Sequence, residues 1–412
     1  MRRVSERTLI LLIGAVQAIN ILDFMMVMPM GPWFAEGLGF PVSHVSWLGG
    51  SYTAAAAVSG IIGSFFLDRY DRRKALAVSL LGLVLGTVAG GFAVDLHTMM
   101  AARMAAGAFG GPATAIALSI VADAVPPERR GRAIGAVMSA FSIASVFGVP
   151  AGLKLAQLGG WRAPFFAVGA AALVVTAGAI FLLPPMRAHL DAPVDPNARR
   201  PRPWDVLTDP LARLSLVITA VTFMANFSVV PNIATFLQHN LAYPAERMDI
   251  LYGVGGVVSF MVMRLVGRAV DRLGAPPVAS FGAVLFIAIL LTVFVWTPAG
   301  VPVLAAFVAF MVAQSFRMVP LNALTSRVPR AADRAGFLSA QSAVQHIAAS
   351  IGAFMSSAFL SEGADHHLHG MDLVAMFSAA LCVLPPFLIV RVQRGVVRRE
   401  AERRAAEVAA AQ

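Results

Sequence analysis

Charge is scarce in this sequence. Asp, Glu, Lys and Arg make up 13% of its 412 residues, against roughly 25% in a soluble protein. With 58% hydrophobic residues and a mean hydropathy of +0.75, the chain reads as a polytopic membrane protein rather than a row of soluble domains. That reading removes nucleic acid as the explanation of its net charge of +10. Cysteine occurs once, as Cys382 inside an apolar run, so no intramolecular disulfide is possible. There is no glycine-rich phosphate loop, no H-E-x-x-H and no G-x-S-x-G, so nothing points to ATP use or to an enzyme. Asp365-His366-His367-Leu368-His369 lies in a loop without a supporting shell and is read as no metal site. No small-residue cleavage site follows the first apolar run, which is therefore expected to stay as a helix.

Apolar length is what the chain has in abundance. Crossing ~30 Å of hydrocarbon takes about 20 apolar residues as a helix, and runs of this length in lipid have helix as their sensible state. Twelve such runs can be cut, at about 8–30, 44–67, 75–94, 98–122, 133–156, 164–184, 211–236, 248–266, 277–297, 302–326, 336–360 and 372–390. A polar, Pro- and Arg-rich stretch from Met186 to Pro210 divides them six and six. Of the 32 Lys and Arg residues, 27 fall before the first run, in the loops after the even-numbered runs, or in the C-terminal tail. That asymmetry places both termini in the cytoplasm. The tail Arg391–Gln412 reads as a solvated cytoplasmic helix or a frayed tail touching anionic lipid.

One carboxylate interrupts the first run, Asp23 in Ala18–Met30. An ionisable group at that depth is costly and is placed against a partner or a water-filled cavity. Asp23 stands about 15 residues, or ~22 Å, from the cytoplasmic end at 1.5 Å per residue. Arg103 in the fourth run enters from the other side, so both fall in the outer half and can pair. Burial and a neighbouring guanidinium act in opposite senses on a carboxyl group's proton affinity. The pair is therefore a candidate proton carrier, with a fixed structural ion pair as the alternative. Phe24, Met25, Met26, Met28 and Met30 around it are read as packing.

The chain also repeats. Asp68-Arg69 and Asp271-Arg272 are 203 positions apart (271 − 68). The same offset carries Asp23-Phe24 onto Asn226-Phe227, and with one residue of slip Val27-Met28-Pro29 onto Val229-Val230-Pro231. Two related six-helix halves are the expectation, as in transporters that rock one half against the other.

These residues carry a resemblance. Asp68, Arg69, Arg72 and Arg73 match the D-R-x-G-R-[KR] signature of the major facilitator superfamily, with Ser64 and Asp71 standing where the family has glycines. The second copy, Gly267–Gly274, keeps both glycines. Arg103 and Gly107 match the family's R-x-x-x-G. Gly148-Val149-Pro150-Ala151-Gly152 is similar to the Gly-Pro-x-x-Gly element of the antiporter subset, with proline one place late. The chain resembles that superfamily over essentially its whole length, and more narrowly its twelve-helix drug:proton antiporter and sugar-efflux members.

The resemblance implies an all-α integral membrane protein with twelve transmembrane helices in two six-helix bundles around a central cavity. The corresponding divisions are 1–185, a linker 186–210, 211–390 and a tail 391–412. It implies a proton-coupled exporter that works by alternating access, in a bacterial inner membrane, as a monomer, with no cofactor beyond the proton gradient and a small molecule as substrate. Asp23 and Arg103 would couple the proton. Gln17, Asn20, Asn226, Asn232, Gln314, Arg317 and His346 would face substrate. Asp68, Arg69, Arg72, Asp123, Asp271 and Arg272 would form a cytoplasmic latch, with Arg72 on Asp123 and Asp68 on the start of the eleventh helix, made when that side closes. Gly148, Pro150 and Gly152 would shape the fifth helix for gating. A symporter or uniporter for a sugar or organic anion is the alternative, favoured by Arg317. A membrane sensor is the reading from a different class.

Overall fold

Three aspartates each end a loop and begin a helix. Asp71 accepts the amides of Arg73 at 2.9 Å and Lys74 at 3.4 Å. Asp95 accepts that of Thr98 at 2.8 Å, and Asp209 that of Leu211 at 2.9 Å. Each carboxylate satisfies orphan N–H groups at the positive end of the helix dipole.

The computed structural model describes residues 5–187, 190, 207–298, 300–329, 334–363 and 367–410. Among these, twelve helical segments follow one another. They are α1 (Glu6–Leu38), α2 (Val45–Phe66), α3 (Arg72–Gly91), α4 (Leu96–Ala124), α5 (127–159) and α6 (Ala163–Leu182). The second six are α7 (Pro210–His239), α8 (Met248–Leu273), α9 (Ala275–Trp296), α10 (Val303–Thr325), α11 (Arg334–Phe359) and α12 (Met371–Ala410). A two-stranded ribbon, β1 (Ser361–Glu362) against β2 (Leu368–His369), joins α11 to α12. Asn240 holds β2 through both backbone groups of Leu368, at 3.0 and 3.1 Å.

Ten of these segments are long and apolar enough to cross a membrane. The other two are α5, which is broken, and α11, which carries Gln341, Gln345, His346 and five serines. α5 runs as Pro127–Met138, Ala140–Ile143, a π turn at Ala144–Gly148, then Val149–Gly159. The π turn precedes Pro150, which has no N–H to give the preceding turn.

Two boundaries differ from the sequence reading. Pro29 and Pro32 do not end α1, because a 3-10 turn at Met28–Met30 absorbs the first and the second sits in the first turn of Gly31–Leu38. Past 390, where the last apolar run ends, α12 continues as helix to Ala410. Arg399 holds that extension to Asp209 through two bonds of 2.6 and 2.7 Å, and Arg327 meets Glu400 at 2.8 Å. Most of the linker, residues 188–189 and 191–206, lies outside the described residues, as do Asp365 and His366.

The apolar core shows how the helices group. One cluster, with Leu9, Ile13, Leu76, Leu80, Ile116 and Val121, draws only on α1–α6 and the segments beside them. A second, with Leu216, Leu321, Phe337 and Val392, draws only on the second six helices. Both lie toward the termini. The third cluster, at the far end, mixes the two groups: Met30, Phe34, Val45 and Leu48 pack with Val229, Ile233, Phe236 and Leu251. Hydrogen bonds join the groups there as well. Ser350 donates to the Gly50 carbonyl at 3.1 Å, Val42 N–H to Glu362 at 2.9 Å, Gln157 to the Glu246 carbonyl at 3.1 Å, and Trp47 Nε1 to Ser357. The far end is closed across the two bundles, and toward the termini each bundle has its own core.

Asp71 also ties the end of α6 to the start of α3. Its carboxylate takes the Met186 amide at 3.3 Å and the Arg187 guanidinium at 3.2 Å. Burial disfavours the charged Asp71, but these partners and the Arg73 and Lys74 amides outweigh it and hold its carboxyl below the usual range. A lowered folded pKa contributes stability above the unfolded carboxylate range, and loses it as pH falls through the folded value. Asp71→Ala is expected to cost about 1–2 kcal/mol at neutral pH. The gap from the wild type should close below about pH 4, read as thermal unfolding of both proteins in detergent across pH.

Candidate functional site

The site grows from glycines that let three helices press together. Gly82, Gly86 and Gly90 form a stripe on α3. A Cβ at Gly86 would lie 2.4 Å from the Ala106 nitrogen of α4. At Gly107 of α4 it would lie 2.1 Å from the Tyr52 carbonyl oxygen of α2. Both neighbours are backbone and cannot swing away. Close approach of this kind is how small residues serve helix packing in lipid. Gly107→Ala is therefore expected to force α2 from α4 and to cost about 1–3 kcal/mol, read as a lower unfolding temperature of the purified protein.

That packing encloses one ion pair. Asp23 is 0% exposed and Arg103 is 1% exposed. Arg103 Nη2 donates to Asp23 Oδ2 at 2.8 Å and Nη1 donates to Oδ1 at 3.1 Å, the bidentate geometry that arginine favours. Nη2 also reaches the Asp23 carbonyl oxygen at 3.3 Å. Thr87 on α3 donates to Oδ1 at 2.7 Å. The Tyr52 ring lies 4.9 Å from the guanidinium carbon. Arg103 Nε is buried without a hydrogen bond.

Asn20, one turn before Asp23, completes the cluster. Its Nδ2 donates to the Gly110 carbonyl at 2.7 Å and to Thr114 at 2.6 Å, and its Oδ1 accepts the Tyr52 hydroxyl at 2.7 Å. Asn20 thus bonds within the N-terminal bundle, to α2 and α4. The residues flanking Asp23 reach the interface between bundles. Leu22 packs over Gly148 and Met26 over Gly152, both on α5. Phe24 meets Phe227 of α7 with centroids 5.9 Å apart.

The second bundle answers differently. Asn226, the repeat partner of Asp23, has its Oδ1 buried without a hydrogen bond. Arg317 is 4% exposed and stacks on Phe286 at 4.0 Å. Its Nη1 donates to Gln314 at 2.9 Å, and its Nη2 is buried without a partner. Asn232 is 0% exposed, between α7 and α11, where its Nδ2 donates to the Ser228 carbonyl and to Ser356. It belongs to the packed closed end, and its Oδ1 is buried without a hydrogen bond. Gln17 is buried with Oε1 unpaired, and His346 is half-buried on α11, joined to none of these residues.

The remaining motif residues divide. Pro150 packs against Gly253 of α8, its Cγ 3.6 Å from where a Cβ would stand. The Ser145 carbonyl in the π turn meets Gly256 in the same way at 3.2 Å. The Gly148–Gly152 element therefore touches α1 on one side and α8 of the other bundle on the next. Arg72 pairs with Asp123 at 2.5 Å, joining α3 to α4. That contact lies within one bundle. Arg69, Asp271 and Arg272 are exposed, and the Asp68 side chain lies outside the described residues.

Sequence reasoning missed Thr87, Tyr52 and Asp71. The glycine stripe on α3 was the available sign that Thr87 sits at a close helix contact. Asp71 had been counted as a lost glycine, although an aspartate two residues before a helical Arg73 is a capping signal.

Residues 13–353 match the profile of the Major Facilitator Superfamily. The chain belongs to that superfamily. This transporter is 28% identical over 283 residues to a chloramphenicol resistance protein of Streptomyces lividans, covering 68% of this chain and 70% of that one. It is 26% identical over 383 residues to the inner membrane transport protein YdhP of Escherichia coli K12, covering 89% and 92%. Its fold matches a bacterial homologue of the human lysosomal transporter Spinster in an inward-facing, unoccupied conformation, with a TM-score of 0.75 at 16% identity over 96% of this chain and 98% of that one. Membership of this family makes the protein a multi-pass membrane transporter of small molecules and not an enzyme.

Proposed function

We propose that this transporter exports a small, largely apolar molecule from the cytoplasm across a bacterial inner membrane, driven by protons moving inward. The observation that carries the proposal is the enclosed Asp23–Arg103 pair, present in one bundle and replaced by Asn226 in the other. The distribution of basic residues supports a cytoplasmic position for both termini. On that orientation the closed far end faces outward and the molecule is inward-facing.

The coupling follows from what touches Asp23. A proton on its carboxyl removes the negative half of a bidentate pair. The bond between α1 and α4 then weakens, and Leu22, Phe24 and Met26 on the same turns of α1 bear directly on α5 and α7. Protonation would thereby bias the contacts through which the bundles meet. The named chloramphenicol resistance protein among the relatives supports export, and chloramphenicol is the first probe to try. The test is purified protein in liposomes with an imposed pH gradient. Chloramphenicol movement that follows the gradient supports the reading. Equal movement with and without the gradient removes proton coupling.

A further inference from the structure

The mechanism above leaves Arg317 unused. It sits near the middle of α10, inside the second bundle, and its surroundings are specific. The guanidinium carbon sits 4.0 Å over the ring of Phe286 of α9. Gln314, one turn earlier, takes one of its donors, and Nη2 has none to answer it. The arginine lines a small cavity with Thr222 of α7, Ala279 and Ala283 of α9, and Cys382 and Pro385 of α12. The cavity has room for about one water molecule. Among its lining residues there is no carboxylate. Arg103 in the other bundle has Asp23 for its charge; Arg317 has no comparable partner among the lining residues.

A guanidinium held away from water calls for a counter-charge. The cavity, about one water in size, has to widen slightly for a halide, and it offers donors to hold one: Nη2, the Thr222 hydroxyl and the Cys382 thiol. We propose that this cavity is a binding site for a compact monoanion of halide size, held by Arg317 within the second bundle. The same chemistry has two sources. The anion can be a free halide resident in the fold, or the end of a carboxylate substrate that enters when the bundles move. The small size of the cavity favours the free ion over a carboxylate group in the state seen here.

The experiment is thermal unfolding of the purified protein in detergent, in chloride or bromide against gluconate at equal ionic strength. The wild type is expected to unfold at a temperature that rises with halide and saturates, since only a ligand of the folded state gives that response. Gluconate, too large for the cavity, should not raise it. Arg317→Gln should abolish the halide response. Should that variant fail to fold, Ala283→Val fills the cavity without touching the charge and should also abolish it. A wild type indifferent to halide overturns the proposal, and so does either variant that keeps the full response. Formate and benzoate distinguish the sources. Stabilisation by formate and halide alone marks a free ion. Stabilisation by benzoate, together with its Arg317-dependent uptake into liposomes, marks a substrate group. Because the readout is stability, its failure is separable from failure of the proton-coupling proposal.

Discussion

Asp23→Asn is expected to abolish transport driven by a pH gradient. Two effects of different origin combine in that variant. The first is loss of the group that would bind and release the proton. The second is structural, since Arg103 is left as a buried cation against a neutral amide. Breaking one side of a buried ion pair costs about 3–5 kcal/mol. The neutral pair D23N/R103Q separates them. Both side chains stay polar, the asparagine keeps the size of Asp23 and an acceptor for Thr87, the glutamine is shorter than Arg103, and no charge is left stranded. If the pair is only structural, the double variant should recover gradient-driven transport along with its stability. If Asp23 carries the proton, stability should recover and gradient-driven transport should not. The measurements are unfolding temperature and chloramphenicol movement into liposomes, made on the same preparations.

Locking the closed end is expected to stop transport almost completely. A Cβ at Gly50 of α2 would stand 3.3 Å from the Ala353 Cβ of α11, close to the roughly 3.5–4.5 Å spacing of a disulfide. The G50C/A353C pair therefore joins the two bundles where they already touch. The single native cysteine, Cys382, is buried and leaves the assay clean. Transport should be lost on oxidation and regained on reduction, because alternating access needs this end to part. Full transport by the oxidised protein would mean that the far end does not open at α2 and α11.

The helices were largely legible because lipid fixes how long an apolar run must be. The boundaries that slipped did so for local reasons. The first apolar run was cut at about 30, but a short 3-10 turn at Met28–Met30 and a fresh helix start accommodate Pro29 and Pro32, and α1 runs on to Leu38. The extension of α12 past 390 is charged and looked solvated, yet Arg399 and Glu400 each find an oppositely charged partner on a neighbouring segment. The Asp23–Arg103 pair could be read from depth alone, since counting residues along opposed helices puts both at one level. Its setting could not. Thr87 and Tyr52 become special only when Gly86 and Gly107 bring three backbones into contact. The partners of Asn20 on α2 and α4 could not be read either, because a sequence does not show which helix a polar side chain meets.

The central claim is that protons move against substrate through Asp23. The most direct measurement is proton flux itself, with a pH dye sealed inside liposomes that hold the wild type or D23N/R103Q. Addition of an outward chloramphenicol gradient should drive protons the opposite way in the wild type, in proportion to the drug moved, and should move none in the double variant. Drug movement without any proton movement in the wild type, or equal proton movement in both proteins, would contradict it.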